Sequence, residues 1–187
     1  MFAHPPVCHR TLGGPMSDQY IKVPLTQGYE SLVDVEDAER VLAHKWHASR
    51  SMRKDGTYRV YASRADRSSG RRLLVPMHRF VIGAGPDDIV DHKNRDTLDN
   101  RRSNLRFATS SQNAINTVRP VGVSGYRGVY FHPQSGRWNA KIGVNGAFRS
   151  FGYFLDAESA ARAYDAGALG IYGEFAVLNF PLEVCDE

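Results

Sequence analysis

The chain has 187 residues, of which 42% are hydrophobic and 11% aromatic, and its formal net charge is +4. This composition is ordinary for a globular protein, and no apolar run approaches the length that spans a bilayer, so we expect no membrane association. Its two cysteines, Cys8 and Cys185, build neither a disulfide framework nor a four-cysteine zinc site, and residues 1–15 lack the pattern of a secretory signal. The expected location is therefore the cytoplasm.

Charge is distributed unevenly along the chain. Residues 45–119 contain 16 Lys and Arg against 7 Asp and Glu, and residues 126–155 contain basic residues but no acidic one. Residues 156–187 contain 1 basic residue against 7 acidic ones. Such segregation indicates a surface that binds a polyanion, although a basic block is also common on a face that is merely solvated.

The first elements follow a tail, residues 1–16, that we expect to be disordered. The sequence predicts a strand from Ile21 to Leu25 and another from Glu30 to Val33, with a turn at Gln27-Gly28 between them. Asp34 is predicted to cap a short helix that extends to His44. The apolar face of this helix is formed by Ala38, Val41 and Leu42.

A β-hairpin and a second helix come next. Asp55-Gly56 lies between Trp46 and the alternating run from Tyr58 to Ala62, which is the pattern of a hairpin turn with its strands. Pro76 is predicted in the first turn of a helix over Met77 to Ile82, which the stretch from Gly83 to Pro86 ends.

The segment from residue 89 to 116 carries the polar chemistry. IVDH at 89–92 is predicted to be a strand, and a polar loop with the sequence DNRRSNL leads to a second extended piece. Thr109 or Ser110 then caps a helix that reaches about Asn116. The local order is therefore strand, loop, strand and helix.

Strand geometry turns Asp91 and His92 to opposite sides. Asp91 and the amide oxygen of Asn113 are hard donors of the kind that suits magnesium or manganese, whereas His92 can act as a general base on water. The alternative is that Asp91 and His92 belong to an ordinary polar loop.

The chain after a linker at residues 118–125 predicts a three-stranded sheet. Its turns are Gln134-Ser135-Gly136 and Asn145-Gly146, and Asp156 caps a helix behind the sheet. Small residues let this helix lie close to the strands. The stripe consists of Ala157, Ala160, Ala161, Tyr164 and Ala168. The expected fold class is α+β.

HRFV at 78–81, IVDHKNRDTLDNRRSNLR at 89–106, and Asn113 and Asn116 resemble the motif of HNH homing endonucleases from phages and mobile introns. This resemblance implies a ββα-metal module. It implies that Asp91 and Asn113 bind a divalent cation, magnesium or alternatively manganese, and that His92 activates water. Asn104 would hold the His92 ring or its loop by hydrogen bonding. The third letter of the motif is Asn here instead of His.

Neighbouring residues are assigned lesser roles. Three arginines, Arg101, Arg102 and Arg106, are candidates for DNA contact, and for them positioning of phosphate is favoured over contact with the transition state. Asn116 is a further polar neighbour. His78 is interpreted as a packing residue and stays outside the catalytic set.

YRGV at 126–129, FGYF at 151–154, the helix ending in AYD and the terminal LNF resemble the AP2/ERF DNA-binding domain. The resemblance implies that the sheet lies in a DNA groove. The candidate DNA contacts are Arg127, Tyr130, His132, Arg137, Trp138 and Lys141. In an alternative, Trp138 packs beneath the sheet and Arg137 and Asn139 face DNA. Alternation also puts Arg149 on the helix side, which predicts a bulge nearby.

Together these patterns predict a nuclease module at residues 17–117 with a β-rich N-terminal extension, the linker, and a DNA-binding domain at 126–182. The expected protein is a metal-dependent homing-type endonuclease that nicks double-stranded DNA as a monomer, with a dimer as the alternative. Two other readings stay open: a sequence-specific regulator with an inactive nuclease fold, and a structural DNA-binding protein.

Overall fold

The computed structural model describes residues 19–53, 56–117 and 121–181. The predicted tail, both cysteines, Asp55 and the first part of the linker lie outside these ranges. The chain forms two compact units, Met1–Ala108 and Thr109–Glu187. Among the described residues no helix is both long and apolar enough to cross a membrane.

The first unit contains three small antiparallel sheets. Strand β1 (Tyr20–Pro24) pairs with β2 (Glu30–Asp34). Strand β4 (Tyr58–Asp66) lies between β3 (His47–Met52) and β5 (Leu73–Pro76). Strand β6 (Ile89–His92) pairs with β7 (Leu105–Ala108). Two short helices, α1 (Ala38–Leu42) and α2 (Met77–Ile82), complete the unit.

One apolar core holds these pieces together. Its buried members come from β1, β2, α1, α2, β4 and β7, with Trp46 from the segment between α1 and β3, so short elements share one interior. They are Ile21, Val23, Val33, Val41, Trp46, Ala62, Met77, Val81 and Leu105.

Several predictions for this unit need correction. Asp34 precedes a 3-10 turn but makes no side-chain cap; its carboxylate accepts instead from the backbone N–H of Arg102 at 2.7 Å. Leu42 is 46% exposed, so it is not part of the buried face of α1. Pro76 is the N-cap of α2 and ends β5, a strand that the sequence did not predict.

The second unit begins with α3 (Ser110–Ile115) and continues with β8 (Val129–His132), β9 (Arg137–Val144) and β10 (Ala147–Phe154). The strands form an antiparallel sheet in the order β10-β9-β8. Helix α4 (Ala157–Tyr172) packs against all three strands. This is the predicted sheet with one helix behind it.

The predicted helix caps, the predicted turn and the predicted bulge of this unit are all confirmed. Thr109 caps α3 in a reciprocal pair with Gln112, and Asp156 caps α4 through the N–H of Ser159 at 2.7 Å. Asn145 and Gly146 form the β9–β10 turn with φ values of 49° and 83°. The predicted bulge is present in β10, where the register shifts between Ser150 and Gly152.

Two glycines of the second unit allow α4 to approach the sheet. A Cβ at Gly128 would lie 2.1 Å from the Tyr164 ring, and one at Gly167 would lie 2.2 Å from the Phe151 ring. No residue other than glycine fits either place without a shift. The architecture is mixed, with small antiparallel sheets and few helices, as expected.

Candidate functional sites

Strand β6 ends in a buried acid beside a buried histidine. Asp91 is 6% exposed and His92 is 5% exposed. Asp91 is paired across the hairpin with Arg106, which donates from Nε and a terminal nitrogen to Oδ2 at 3.1 and 3.0 Å. A buried charge needs such a partner, so Arg106 both neutralises Asp91 and fixes its orientation.

The His92 ring is held by an asparagine that the motif did not single out. Its Nε2 lies 3.3 Å from Oδ1 of Asn100, a side chain with no exposed surface. Burial lowers the pKa of His92, against the raising effects of Asn100 and of nearby carboxylates. The imidazole is therefore in its neutral, basic form at neutral pH.

Asn104 holds the loop and does not hold the ring. Its Oδ1 accepts from the N–H of Asn94 at 2.9 Å, and its Nδ2 donates to the carbonyl of Asp99 at 2.7 Å. Of the two contacts that the resemblance allowed for Asn104, the structure contains the one to the loop after His92. The ring contact belongs to Asn100, which is also part of the DNRRSN run and has the same chemistry.

His78, which the sequence predicts to be a packing residue outside the catalytic set, lies next to His92. The two ring centroids are 5.0 Å apart, and the Tyr61 ring centroid lies 5.8 Å from that of His78. Burial, together with the charges of His92 and Arg79, lowers the pKa of His78 to about 3. His78 is thus a neutral neighbour of His92 at all moderate pH values.

The three predicted arginines are each bound to a carboxylate of the first unit. Arg101 makes two contacts with Asp99, both 2.8 Å, and Arg102 makes two with Asp37 at 2.7 and 2.9 Å. Arg106 is the partner of Asp91. These pairs hold the loop after β6 in place, and a contact of any of the three with phosphate stays a prediction.

The other predicted metal ligand, Asn113, is exposed on α3 and belongs to the second unit, whereas Asp91 belongs to the first. Asn116, which follows α3, is buried. A carboxylate and an amide oxygen are both hard donors, so the donor chemistry of Asp91 and Asn113 fits magnesium or manganese.

The sheet of the second unit has one face against α4 and one outer face. Ala140 and Ile142 of β9 are buried, which assigns their side to α4 and the intervening residues to the outer face. The cross-strand register adds side chains from β8 and β10 to that outer face. They are Tyr130, His132, Arg137, Asn139, Lys141, Phe148, Ser150 and Tyr153.

Two aromatic rings lie close to the ammonium group of Lys141 on the outer face. Nζ of Lys141 lies 4.5 Å from the Tyr130 ring centroid and 5.0 Å from that of Phe148. The His132 and Tyr153 rings are 5.4 Å apart on the same face. A flat face with a cation and exposed rings offers phosphate contact and apolar contact together.

Two predicted DNA contacts lie elsewhere. Trp138 shares the face of Ala140 and its ring lies 5.0 Å from that of Phe131, so the alternative geometry holds and its neighbours Arg137 and Asn139 lie on the outer face. The Arg127 guanidinium donates to the carbonyls of Ile115 and Thr117 at 2.5 and 2.9 Å. Arg127 therefore fastens the end of α3 to the sheet.

The resemblance markers of the second unit meet in one network. Asp165 accepts from the backbone N–H groups of Asn179 and Phe180 at 2.9 Å each, and Asn179 bonds both the N–H and the carbonyl of Arg127. AYD, LNF and YRG are thus joined in space. These hydrogen bonds connect the start of the domain, its helix and its C-terminal segment.

A sequence model of the HNH endonuclease family matches residues 79–115. These residues include the β6–β7 hairpin with its loop. An uncharacterized HNH endonuclease of Acanthamoeba polyphaga mimivirus is 33% identical over 111 residues, which is 56% of this chain and 57% of that protein. Residues 79–115 therefore carry the sequence pattern that the HNH endonuclease model describes.

Plant transcription factors are also similar to this chain. The ethylene-responsive transcription factor WRI1 of Arabidopsis thaliana is 29% identical over 156 residues, which is 76% of this chain and 35% of that protein. The AP2-like ethylene-responsive transcription factor CRL5 of Oryza sativa subsp. japonica is 48% identical over 63 residues, which is 33% of this chain and 10% of that protein. The chain matches less than two thirds of each of these three relatives' length.

Proposed function

We propose that this protein is a metal-dependent DNA endonuclease of the homing type, which an AP2-like domain directs to its site. The observation that carries the proposal is the buried pair at the end of β6, where a neutral imidazole lies beside a carboxylate that Arg106 holds in place. An uncharged buried imidazole is suited to take a proton from water. The family match at residues 79–115 supports the reaction class.

In the proposed mechanism His92 removes a proton from water, and the resulting hydroxide oxygen bonds to the phosphorus. The bond from phosphorus to the 3′ oxygen, on the opposite side, breaks, and the 3′ oxygen leaves with the bonding electrons. Asp91 and Asn113 would hold the cation, magnesium or manganese, through their oxygen atoms. When bound, the cation neutralises negative charge on the phosphate oxygens. Asn104 keeps the loop after His92 in place, so that the base stays oriented.

DNA recognition is proposed for the outer face of the second unit. Arg137 and Lys141 would contact phosphates, and Tyr130 and His132 would lie against the groove, while Arg127 and Trp138 support the domain from within. A small metal site distinguishes one phosphodiester from another poorly. Selection of the target sequence therefore has to come from a separate surface, which raises the local concentration of the nuclease at that sequence.

The proposed module limits remain 17–117 and 126–182 with a linker at 118–125. One set of catalytic residues per chain favours a monomer that nicks one strand, in the cytoplasm of a bacterial or phage-infected cell.

A second candidate function is a DNA-binding regulator with an inactive nuclease fold. The observation that favours it is the ion pair of Asp91, since a carboxylate already balanced by Arg106 does not require a cation. The two functions differ in their response to metal removal.

The deciding experiment follows conversion of supercoiled plasmid carrying candidate target DNA to the open-circular form, with magnesium and with EDTA. A nuclease nicks only with the metal, and His92→Ala abolishes nicking while gel-shift binding persists. Binding without nicking in magnesium and in manganese, on DNA that contains the preferred site, would establish the regulator instead.

A further inference from the structure

Two buried polar side chains connect the N-terminal hairpin to the His92 ring. Ser31 of β2 and Asn100 of the loop after β6 are both 0% exposed, and Nδ2 of Asn100 donates to Oγ of Ser31 at 2.7 Å. We propose that Ser31 and Asn100 are positioning residues that fix His92 as the tautomer with its hydrogen on Nε2. The catalytic consequence rests on the proposed nuclease function, whereas the tautomer does not.

The hydrogen bonds that the described residues make around Asn100 favour one arrangement. Nδ2 of Asn100 faces Oγ of Ser31 and, at 3.4 Å, the carbonyl of Leu98, so both of its hydrogens point away from His92. The amide oxygen is the atom that faces the ring at 3.3 Å. An amide oxygen only accepts, so Nε2 of His92 must be the donor and Nδ1 carries the lone pair.

Ser31 keeps the amide from turning over. Its hydroxyl has one hydrogen, which points to the carbonyl of Leu98 at 2.8 Å or to the sulfur of Met77 at 3.3 Å. Its oxygen accepts from Asn100. If the Asn100 amide were reversed, the Ser31 hydroxyl would have to leave the Leu98 carbonyl to donate to the amide oxygen, and the amide hydrogens would lose both Ser31 and Leu98 as acceptors. Ser31 thereby selects the orientation of Asn100.

The backbone makes this connection rigid. Leu32 of β2 donates to the carbonyl of Leu98 and accepts from the N–H of Asn100, both at 2.9 Å, and Leu32 forms a parallel bridge with Asp99. The segment that carries Asn100 is therefore paired with β2 like a short extra strand. A hairpin that lies outside the family-matched region thus sets the direction of the proposed base.

The tautomer of His92 can be observed without any reaction. In full-length protein with ¹⁵N-labelled histidine, long-range ¹H–¹⁵N correlation distinguishes a ring with hydrogen on Nε2 from one with hydrogen on Nδ1. We expect the Nε2–H form for the wild type. Asn100→Leu, which has the same branching at Cγ but no acceptor, should lose this uniform state, and Asn100→Asp, which keeps the acceptor, should retain it.

Ser31→Ala tests the same connection with a smaller change. Without the hydroxyl, the orientation of the Asn100 amide is no longer selected, so the His92 signals should split or shift. If Asn100→Leu fails to fold, this variant decides the result. The matched control is Ser63→Ala, a buried serine that bonds Ser49 and lies outside this connection; it should leave the His92 signals unchanged.

Single-turnover nicking provides the functional readout. Asn100→Leu should slow the rate about 10-fold to 100-fold without a change in the DNA concentration that gives half the maximal rate, and Asn100→Asp should restore part of it. An unchanged Nε2–H ring in both Asn100→Leu and Ser31→Ala would overturn the proposal. Tautomer changes as expected with a wild type that never nicks would uphold the positioning role and overturn the nuclease function.

Discussion

Asp37 is a single buried carboxylate on which two arginines converge. It is 2% exposed and bonds Arg40 at 2.8 Å and Arg102 at 2.7 and 2.9 Å. Hydrogen bonds to charged groups are stronger than neutral ones, so we expect Asp37→Asn to lower the free energy of unfolding by about 2 kcal/mol at pH 7. Urea unfolding measures this. The matched control is Glu36→Gln, because Glu36 also pairs with Arg102 but its side chain is 68% exposed, and its loss should cost less than about 1 kcal/mol.

The same carboxylate predicts a pH dependence. Burial acts to raise the pKa of Asp37, but its bonds to Arg102 and Arg40 outweigh burial and hold the pKa below its usual 3.8. A lowered pKa in the folded state contributes stability that is present above the ordinary value and disappears as the pH falls through the lower folded value. The stability difference between wild type and Asp37→Asn should therefore be constant above about pH 5 and shrink below pH 3.8. A difference that grows on acidification would contradict this account.

At this scale the sequence predicts residue types better than partners. The alternation of β6 was enough to place Asp91 and His92 on opposite sides, because that geometry is local. The hydrogen-bond partners of these two residues come from later segments of the chain, so they depend on how those segments pack against β6. Arg106 reaches Asp91 through the β6–β7 register, and Asn100 reaches His92 only because β2 holds the loop, which no spacing in the sequence reveals.

Helix α4 offers a matched pair of glycines for testing how closely it packs. Gly167 faces the sheet, where a Cβ would lie 2.2 Å from the Phe151 ring, whereas a Cβ at Gly170 would meet nothing within 4 Å. Alanine is the better helix former by about 1 kcal/mol, so Gly170→Ala should raise stability by up to that amount. Gly167→Ala should lower it by about 1–2 kcal/mol because overpacking exceeds the gain in propensity. Thermal unfolding of the two variants should therefore shift in opposite directions, and a stabilising Gly167→Ala would mean that α4 lies further from the sheet.

Among the helices and strands, those whose ends are marked by capping residues in the local sequence were predictable. Thr109 and Asp156 cap their helices as expected because a cap needs only the next three residues. Strand β5 was missed because Leu73 and Leu74 are both 53% exposed and show no alternation, so only the pairing with β4 defines it. Asp34 does not cap its helix because of another contact between residues distant in sequence. The backbone N–H of Arg102 donates to the Asp34 carboxylate.

For the whole molecule, the uneven distribution of charge predicts how DNA affinity depends on salt concentration. Arg137 and Lys141 are cations on the outer face of the second unit, where no acidic side chain shares the strands. Each phosphate contact that is lost should reduce the slope of log affinity against log salt by about 1. Arg137→Ala and Lys141→Ala should each do so in gel-shift titrations at several salt concentrations. Arg162→Ala is the matched control, because Arg162 is exposed on α4 and paired with Glu158, and it should leave the slope unchanged.

The proposed separation of roles between the catalytic residues and the outer face of β8–β10 predicts two kinds of kinetic defect. If the outer face of β8–β10 only delivers DNA, removal of Arg137 and Lys141 together should raise the DNA concentration needed for half-maximal nicking and leave the saturated rate within about 2-fold, because binding energy that is equal in ground and transition states affects affinity alone. His92→Ala should do the reverse, with a rate reduced at every DNA concentration and little change in half-saturation. Titration of target DNA at low salt, where weak binding is strengthened, makes both regimes accessible. A double variant whose saturated rate falls as far as that of His92→Ala would mean that the outer face of β8–β10 takes part in the chemistry itself, beyond delivering DNA.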